Sequence, residues 1–233
     1  DCSILEIQGR KQCVYALLGD ETHAVMFKRI AGLSYIRKVD AIESPYKLMD
    51  RRSALSEHQV EVGGTKVGID KPFIIGGPCT IDPNSPSLYL ETAHALKEAG
   101  VNALRGGVWK PRTNPYSYQG DNKAVEIILR AREETGLPID IEVMDSDNLT
   151  LALDAKVDIL QVGTRNALNY SLLKEIGKNS AGTESSVLLK RGRHVASPNE
   201  FIAAAEYLVA AGNPNVMLCP RGTTPPLDGY RNH

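Results

Sequence analysis

Six short apolar runs recur along this chain roughly every 30 residues, and each ends in groups able to handle charge. They cover 73–79, 101–105, 138–143, 157–163, 186–190 and 215–219, and helix-forming stretches over 86–99, 121–135, 146–155, 168–177 and 198–211 separate them. Gly100, Gly136 and Gly212 stand just past helix ends, and Pro198 follows Ser197 at a first turn, as helix boundaries require. Strand and helix in alternation make βα units and a parallel sheet. The strands are apolar almost throughout, so both faces of that sheet are covered. Functional groups at every strand end, with no Gly-rich phosphate fingerprint opening the first helix, favour a barrel over a doubly wound sheet. The expected architecture is α/β, a TIM barrel of which about six βα units are present.

The amino-terminal part follows a different pattern. Residues 3–7 and 13–18 read as strands around Gln8-Gly9-Arg10-Lys11, 23–30 as a short helix stopped by Gly32, and 35–42 as a third strand. Residues 1–44 are thus expected to form part of a small α+β domain, and the piece resembles part of a ferredoxin-like domain. Ser44-Pro45 breaks the pattern and 45–58 reads as a charged linker. Segments 59–62 and 66–69 flank Gly63-Gly64 as a hairpin expected to cap the barrel bottom, so 59–233 is expected to be the incomplete barrel domain. The chain opens on Asp1 in what reads as mid-strand, and truncation is expected at both ends.

A net charge of -1 gives no basic excess for a general nucleic-acid binder, so an anionic ligand must be held by locally focused cations. No apolar stretch approaches the ~20 residues of a membrane helix, and the first residues do not read as a basic segment followed by an apolar one. Cys2, Cys13, Cys79 and Cys219 are scattered without a CxxC pair, which suits thiols in a reducing cytoplasm.

Four of the six strand ends are cationic: Arg105 leading to Lys110 and Arg112, then Arg165, Lys190-Arg191 and Arg221. In a parallel barrel these ends share one face, so residues over a hundred positions apart meet in one pocket. The densest signal is the loop 105–120, with three cations, hydroxyls and amides held by prolines and glycines. Arginine matches carboxylate or phosphate oxygens with a planar fork, and lysine supplies a compact charge and an acid.

Gly76-Gly77-Pro78-Cys79, Lys110-Pro111-Arg112-Thr113, Gly163-Thr164-Arg165-Asn166, Leu189-Lys190-Arg191-Gly192 and Cys219-Pro220-Arg221-Gly222 resemble, in order and spacing, the motifs of 3-deoxy-D-arabino-heptulosonate 7-phosphate (DAHP) synthase. The resemblance runs from about Pro45 to the carboxyl end. It implies a (β/α)8 transferase that condenses phosphoenolpyruvate with erythrose 4-phosphate, opening the shikimate pathway of aromatic amino acid biosynthesis. By matching position, Arg105, Lys110, Arg165, Lys190 and Arg221 would surround phosphoenolpyruvate. Arg112 and Thr113 would take the phosphate of erythrose 4-phosphate. Cys79 would be a ligand of a divalent metal ion, such as Mn, Fe, Co or Zn, that polarises the aldehyde as a Lewis acid. Lys110 would protonate the developing alkoxide.

Glu142 ends the third barrel strand, where it either orients the attacking water, balances the cations or forms a structural ion pair with an arginine. Gln161 lies in phase with the interior and is expected to organise hydrogen bonds behind the site, while His194 reads as a loop histidine. The resemblance implies three further metal ligands, a His, a Glu and an Asp, expected on later barrel segments than those given, and His233 lies outside the matching motif. His23, His58 and His94 have no evident partner in the sequence. The family also implies cytoplasmic localisation, an aromatic amino acid effector and a homo-oligomer, commonly a tetramer, with no nucleic-acid or membrane partner. Two alternatives stand: the sister reaction forming 3-deoxy-D-manno-octulosonate 8-phosphate, and a non-catalytic fragment. The sister enzyme continues from its lysine with Ala-Asn, so Pro111-Arg112-Thr113 favours the four-carbon sugar.

Overall fold

The computed structural model describes residues 2–8, 13–19, 24–53, 55–68, 71–192 and 197–221. Six parallel strands carry the architecture: β5 (Ile75–Gly76), β6 (Ala103–Arg105), β7 (Ile139–Val143), β8 (Ile159–Val162), β9 (Ser186–Lys190) and β10 (Val216–Cys219). Between them run α2 (Pro86–Glu98), α3 (Lys123–Thr135), α4 (Ser146–Asp154), α5 (Tyr170–Asn179) and α6 (Pro198–Ala210). The strands stand in the sheet in chain order without reversal. A doubly wound sheet reverses at a switch point, whereas a barrel grows in one direction, and this sheet is a half-barrel.

Side-chain alternation divides the core. Ile141 and Val143 of β7, Leu160 and Val162 of β8, and Val187 and Leu189 of β9 pack with helix residues such as Ile128, Leu173, Ile176 and Leu208 on the helical side. A second cluster joins Ala103, Ile159 and Met217 to Val62 of a hairpin made by β3 (Glu61–Val62) and β4 (Thr65–Lys66). The hairpin covers the amino ends of the strands and leaves their carboxyl ends open. Caps fix where the helices stop and start: Gly136 takes φ 69° at the end of α3, and the Asp145 side chain accepts from Asn148 N at the start of α4.

The amino-terminal segment contains the antiparallel pair β1 (Cys2–Gln8) and β2 (Cys13–Gly19), then α1 (Ala24–Ala31). The expected third strand over 35–42 does not form. Strand backbone needs a partner, and this stretch instead holds local contacts: Ile36 N donates to Leu33 O, and Lys38 pairs with Asp40 at 3.0 Å. Tyr35 is 78% exposed, so nothing repays its extension into a sheet. The turn at 9–12 and His23 lie outside the described residues.

The 45–58 stretch is docked rather than free. Glu206 of α6 accepts from the backbone N of Lys47, Leu48 and Met49 at 2.8–3.1 Å, and Leu48 packs with Ile7, Val14 and Val209. Among the described residues no helix is long and apolar enough to cross a membrane.

Candidate active site

A cavity of about 680 Å³ opens at the carboxyl ends of the strands. Cys79, Arg105, Lys110, Arg112, Thr113, Glu142, Arg165, Lys190 and Arg221 all line it, so every residue singled out for the site reaches one space. Six of these nine are cations in a chain of net charge -1. Asn114, Ser117 and Thr164 also line the wall, and the sequence gives them no separate signal beyond their place in the motif loops.

The loop after β6 is built to present its charges inward. Trp109 bridges to Gly120, Lys110 N donates to Gln119 O, and Trp109 Nε1 donates to Asn122 Oδ1 at 2.8 Å, which closes the loop on itself. Trp109 is buried, and this anchoring turns Lys110 into the interior, where it is only 6% exposed. A Cβ on Gly107 would lie 2.0 Å from Cys79 O, so only glycine lets the loop pass this close to the segment carrying Cys79.

Lys110 Nζ donates to Cys79 Sγ at 3.2 Å and Arg105 Nη2 to the same sulfur at 3.4 Å. Burial works against ionisation of that thiol, but the hydrogen bonds and charges of Lys110 and Arg105 outweigh it and hold its pKa below the usual thiol value. Across the cavity, Arg165 Nη2 donates to Thr113 Oγ1 at 3.1 Å, tying the end of β8 to the loop after β6. Arg112 Nε donates to Tyr118 O at 3.1 Å. Burial, aided by the Arg105 charge, pushes the Lys190 ammonium below its ordinary pKa, while Glu142 and Asp140 counter it.

Glu142 is 8% exposed and accepts from Gln161 Nε2 at 3.1 Å, in the register that pairs the two residues. It makes no ion pair among the described residues, so the structural ion-pair alternative is not the arrangement seen. A Cβ on Gly163 would sit 1.9 Å from Glu142 Oε1, so that glycine makes the room the carboxylate occupies. Outside the site, His58 meets Asn215 and His94 meets Glu134, each at 2.9 Å. His194, Gly222 and His233 lie outside the described residues.

Cys79, the expected metal donor, meets Lys110 and Arg105 at its sulfur. Among the described residues no group of three or more His, Cys, Asp or Glu side chains gathers to hold an ion. One thiolate with two cations at its sulfur does not itself make a divalent-metal site.

The family model for the DAHP synthetase I family matches residues 52–225. This chain belongs to that family. A phospho-2-dehydro-3-deoxyheptonate aldolase of Thermotoga maritima is 36% identical over 216 residues, covering 92% of this chain and 61% of that protein. The crystal structure of the DAHP synthase from Thermotoga maritima superposes with a TM-score of 0.72 at 33% identity, covering 99% of this chain and 65% of that one. A 2-dehydro-3-deoxyphosphooctonate aldolase of Nitratidesulfovibrio vulgaris is 32% identical over 168 residues, covering 69% of this chain and 58% of that protein. The chain therefore spans about three fifths of the length of these relatives. The shared fold explains why the strand-end motifs converge, since a barrel brings the carboxyl ends of its strands to one face.

Proposed function

We propose that this chain carries the phosphoenolpyruvate and aldose site of a DAHP-forming synthase, joining phosphoenolpyruvate to erythrose 4-phosphate with release of phosphate. The observation that carries this reading is the meeting of Arg105, Lys110, Arg112, Arg165, Lys190 and Arg221 in one cavity with Glu142 as an interior carboxylate. Two phosphates and a carboxylate need such a cluster, and the net charge of the chain would not attract them otherwise.

Arg105, Arg165, Lys190 and Arg221 hold the carboxylate and phosphate of phosphoenolpyruvate, while Arg112 and Thr113 take the phosphate of the aldose. With both ends fixed, C3 of the enol faces the aldehyde carbon. Bond formation leaves an alkoxide on the former aldehyde and positive charge at C2. Lys110 gives a proton to the alkoxide. Glu142 orients a water toward C2; the proton this water loses on adding replaces the one Lys110 gave up, and the hemiketal so formed expels phosphate, which leaves with the hydroxyl proton as the C2 carbonyl forms and whose charge the arginines and Lys190 stabilise throughout. A divalent ion would use Cys79 as one ligand. The described residues do not complete its site.

Residues 1–44 are assigned to a regulatory domain for an aromatic amino acid, 45–58 to the link and 59–233 to the catalytic barrel, working in a cytoplasmic homo-oligomer. The sister reaction with arabinose 5-phosphate is the second reading, supported by the octonate aldolase relatives. The heptonate relative matches with higher identity and coverage, and Arg112-Thr113 adds a phosphate contact suited to the shorter sugar. Condensation rates on the two aldoses, with phosphoenolpyruvate and added divalent metal, decide between them. Turnover should favour erythrose 4-phosphate, and a preference for arabinose 5-phosphate would reverse the assignment.

A further inference from the structure

Asp140 has no part in the chemistry above. It is 1% exposed, and neither carboxyl oxygen has a hydrogen-bond partner among the described residues. Alternation along β7 puts it on the same interior face as Glu142, one layer further from the cavity mouth. The register sets it beside Arg105 of β6, and on the other side the row continues through Ile159 to Ser186, whose hydroxyl also lacks a partner. The titratable and charged groups facing it are Arg105 from β6, Glu142 from its own strand, Lys190 from β9 and Tyr89 from α2. Tyr89 spends its hydroxyl on Arg105 O at 3.2 Å, so it does not serve the carboxylate.

Burial without a hydrogen bond pushes the Asp140 carboxyl up to about 7, although Arg105 and Lys190 pull it down. Those two cations also line the cavity. An anion that engages them offsets their field at Asp140 with its own negative charge, and this works against the ionised carboxyl. We propose that Asp140 links loading of the cavity to uptake of one proton: above neutral pH it is a carboxylate when the cavity is empty and a carboxylic acid when an anion occupies it. The proton comes from solvent and no other bond changes. The inference rests on the functional reading above, which makes an anionic substrate the occupant.

The sign follows directly. Below the Asp140 pKa of the empty site the acid form is already present and binding needs no proton. As pH rises through that pKa, binding must draw a proton from solvent and weakens. Each unit by which the bound anion raises the Asp140 pKa appears as about a tenfold loss of affinity from low to high pH.

The test is calorimetric titration of the full chain with inorganic sulfate, which stays a dianion between about pH 6 and pH 9, in buffers of different ionisation enthalpy. Phosphoenolpyruvate is used as competitor. The expected result is uptake approaching one proton per sulfate above neutral pH, with affinity falling as pH rises. Asp140→Asn should abolish the uptake, flatten the pH profile and bind more tightly than the parent at high pH. Asp140→Val, which removes the titration without leaving an amide, is the second variant, and proton uptake in the unsubstituted chain requires neither. Competitive binding without uptake, or with uptake that persists in both variants, overturns the proposal and leaves the functional reading standing. If neither anion binds, both fall.

Discussion

Lys110 brings position and chemistry together in one side chain. Its ammonium is buried, it touches the Cys79 sulfur, and it lines the cavity beside Arg105 and Arg112. Replacing it with Met keeps the length of the chain and removes the proton. Lys110→Met should lower kcat of DAHP formation by about 10²–10⁴-fold, the usual contribution of a placed acid, in a steady-state phosphate-release assay. Near-normal turnover would move the proton donor elsewhere. The cations were legible in the sequence because each follows an apolar run and the fold gathers such ends. Asp140 was not, since Ile139-Asp140-Ile141-Glu142 draws attention to the carboxylate nearer the strand end. The period of two in that run places both acids on one face, and that was the available signal.

At the level of elements, the docking of 45–58 on α6 hangs on one carboxylate. Glu206 accepts three consecutive backbone N–H groups, a task suited to a carboxylate, whose two oxygens accept several hydrogen bonds and donate none. Glu206→Ala strands those donors beside an apolar contact and should cost on the order of 2–4 kcal/mol, read as a lowered urea midpoint. Glu206→Gln keeps one acceptor and should fall between the two. The barrel strands and helices were readable to within a few residues because their apolar periods and caps are local properties. The strand expected over 35–42 was not, because a strand exists only with a partner, and Arg37 and Lys38 are held instead by Glu57 and Asp40. The docked state of 45–58 was equally hidden: its signal lay about 160 residues away, in α6.

For the whole molecule, charge placement matters more than charge total. The sum is -1, yet six cations line one cavity. Screening acts over about 10 Å at 0.1 M salt, comparable to the width of such a cavity, so the field at its mouth is sensitive to ionic strength. Raising salt with an inert electrolyte should raise the KM for phosphoenolpyruvate severalfold in initial-rate measurements and change kcat much less. Equal effects on both would place the screened charges in the transition state instead. The sheet order has a consequence for synthesis. Because β5 to β10 lie side by side in the order in which they are made, each strand leaving the ribosome finds its partner in the strand completed just before it. Chain closure stays short at every stage, and the half-barrel can assemble vectorially, without waiting for a distant segment to arrive.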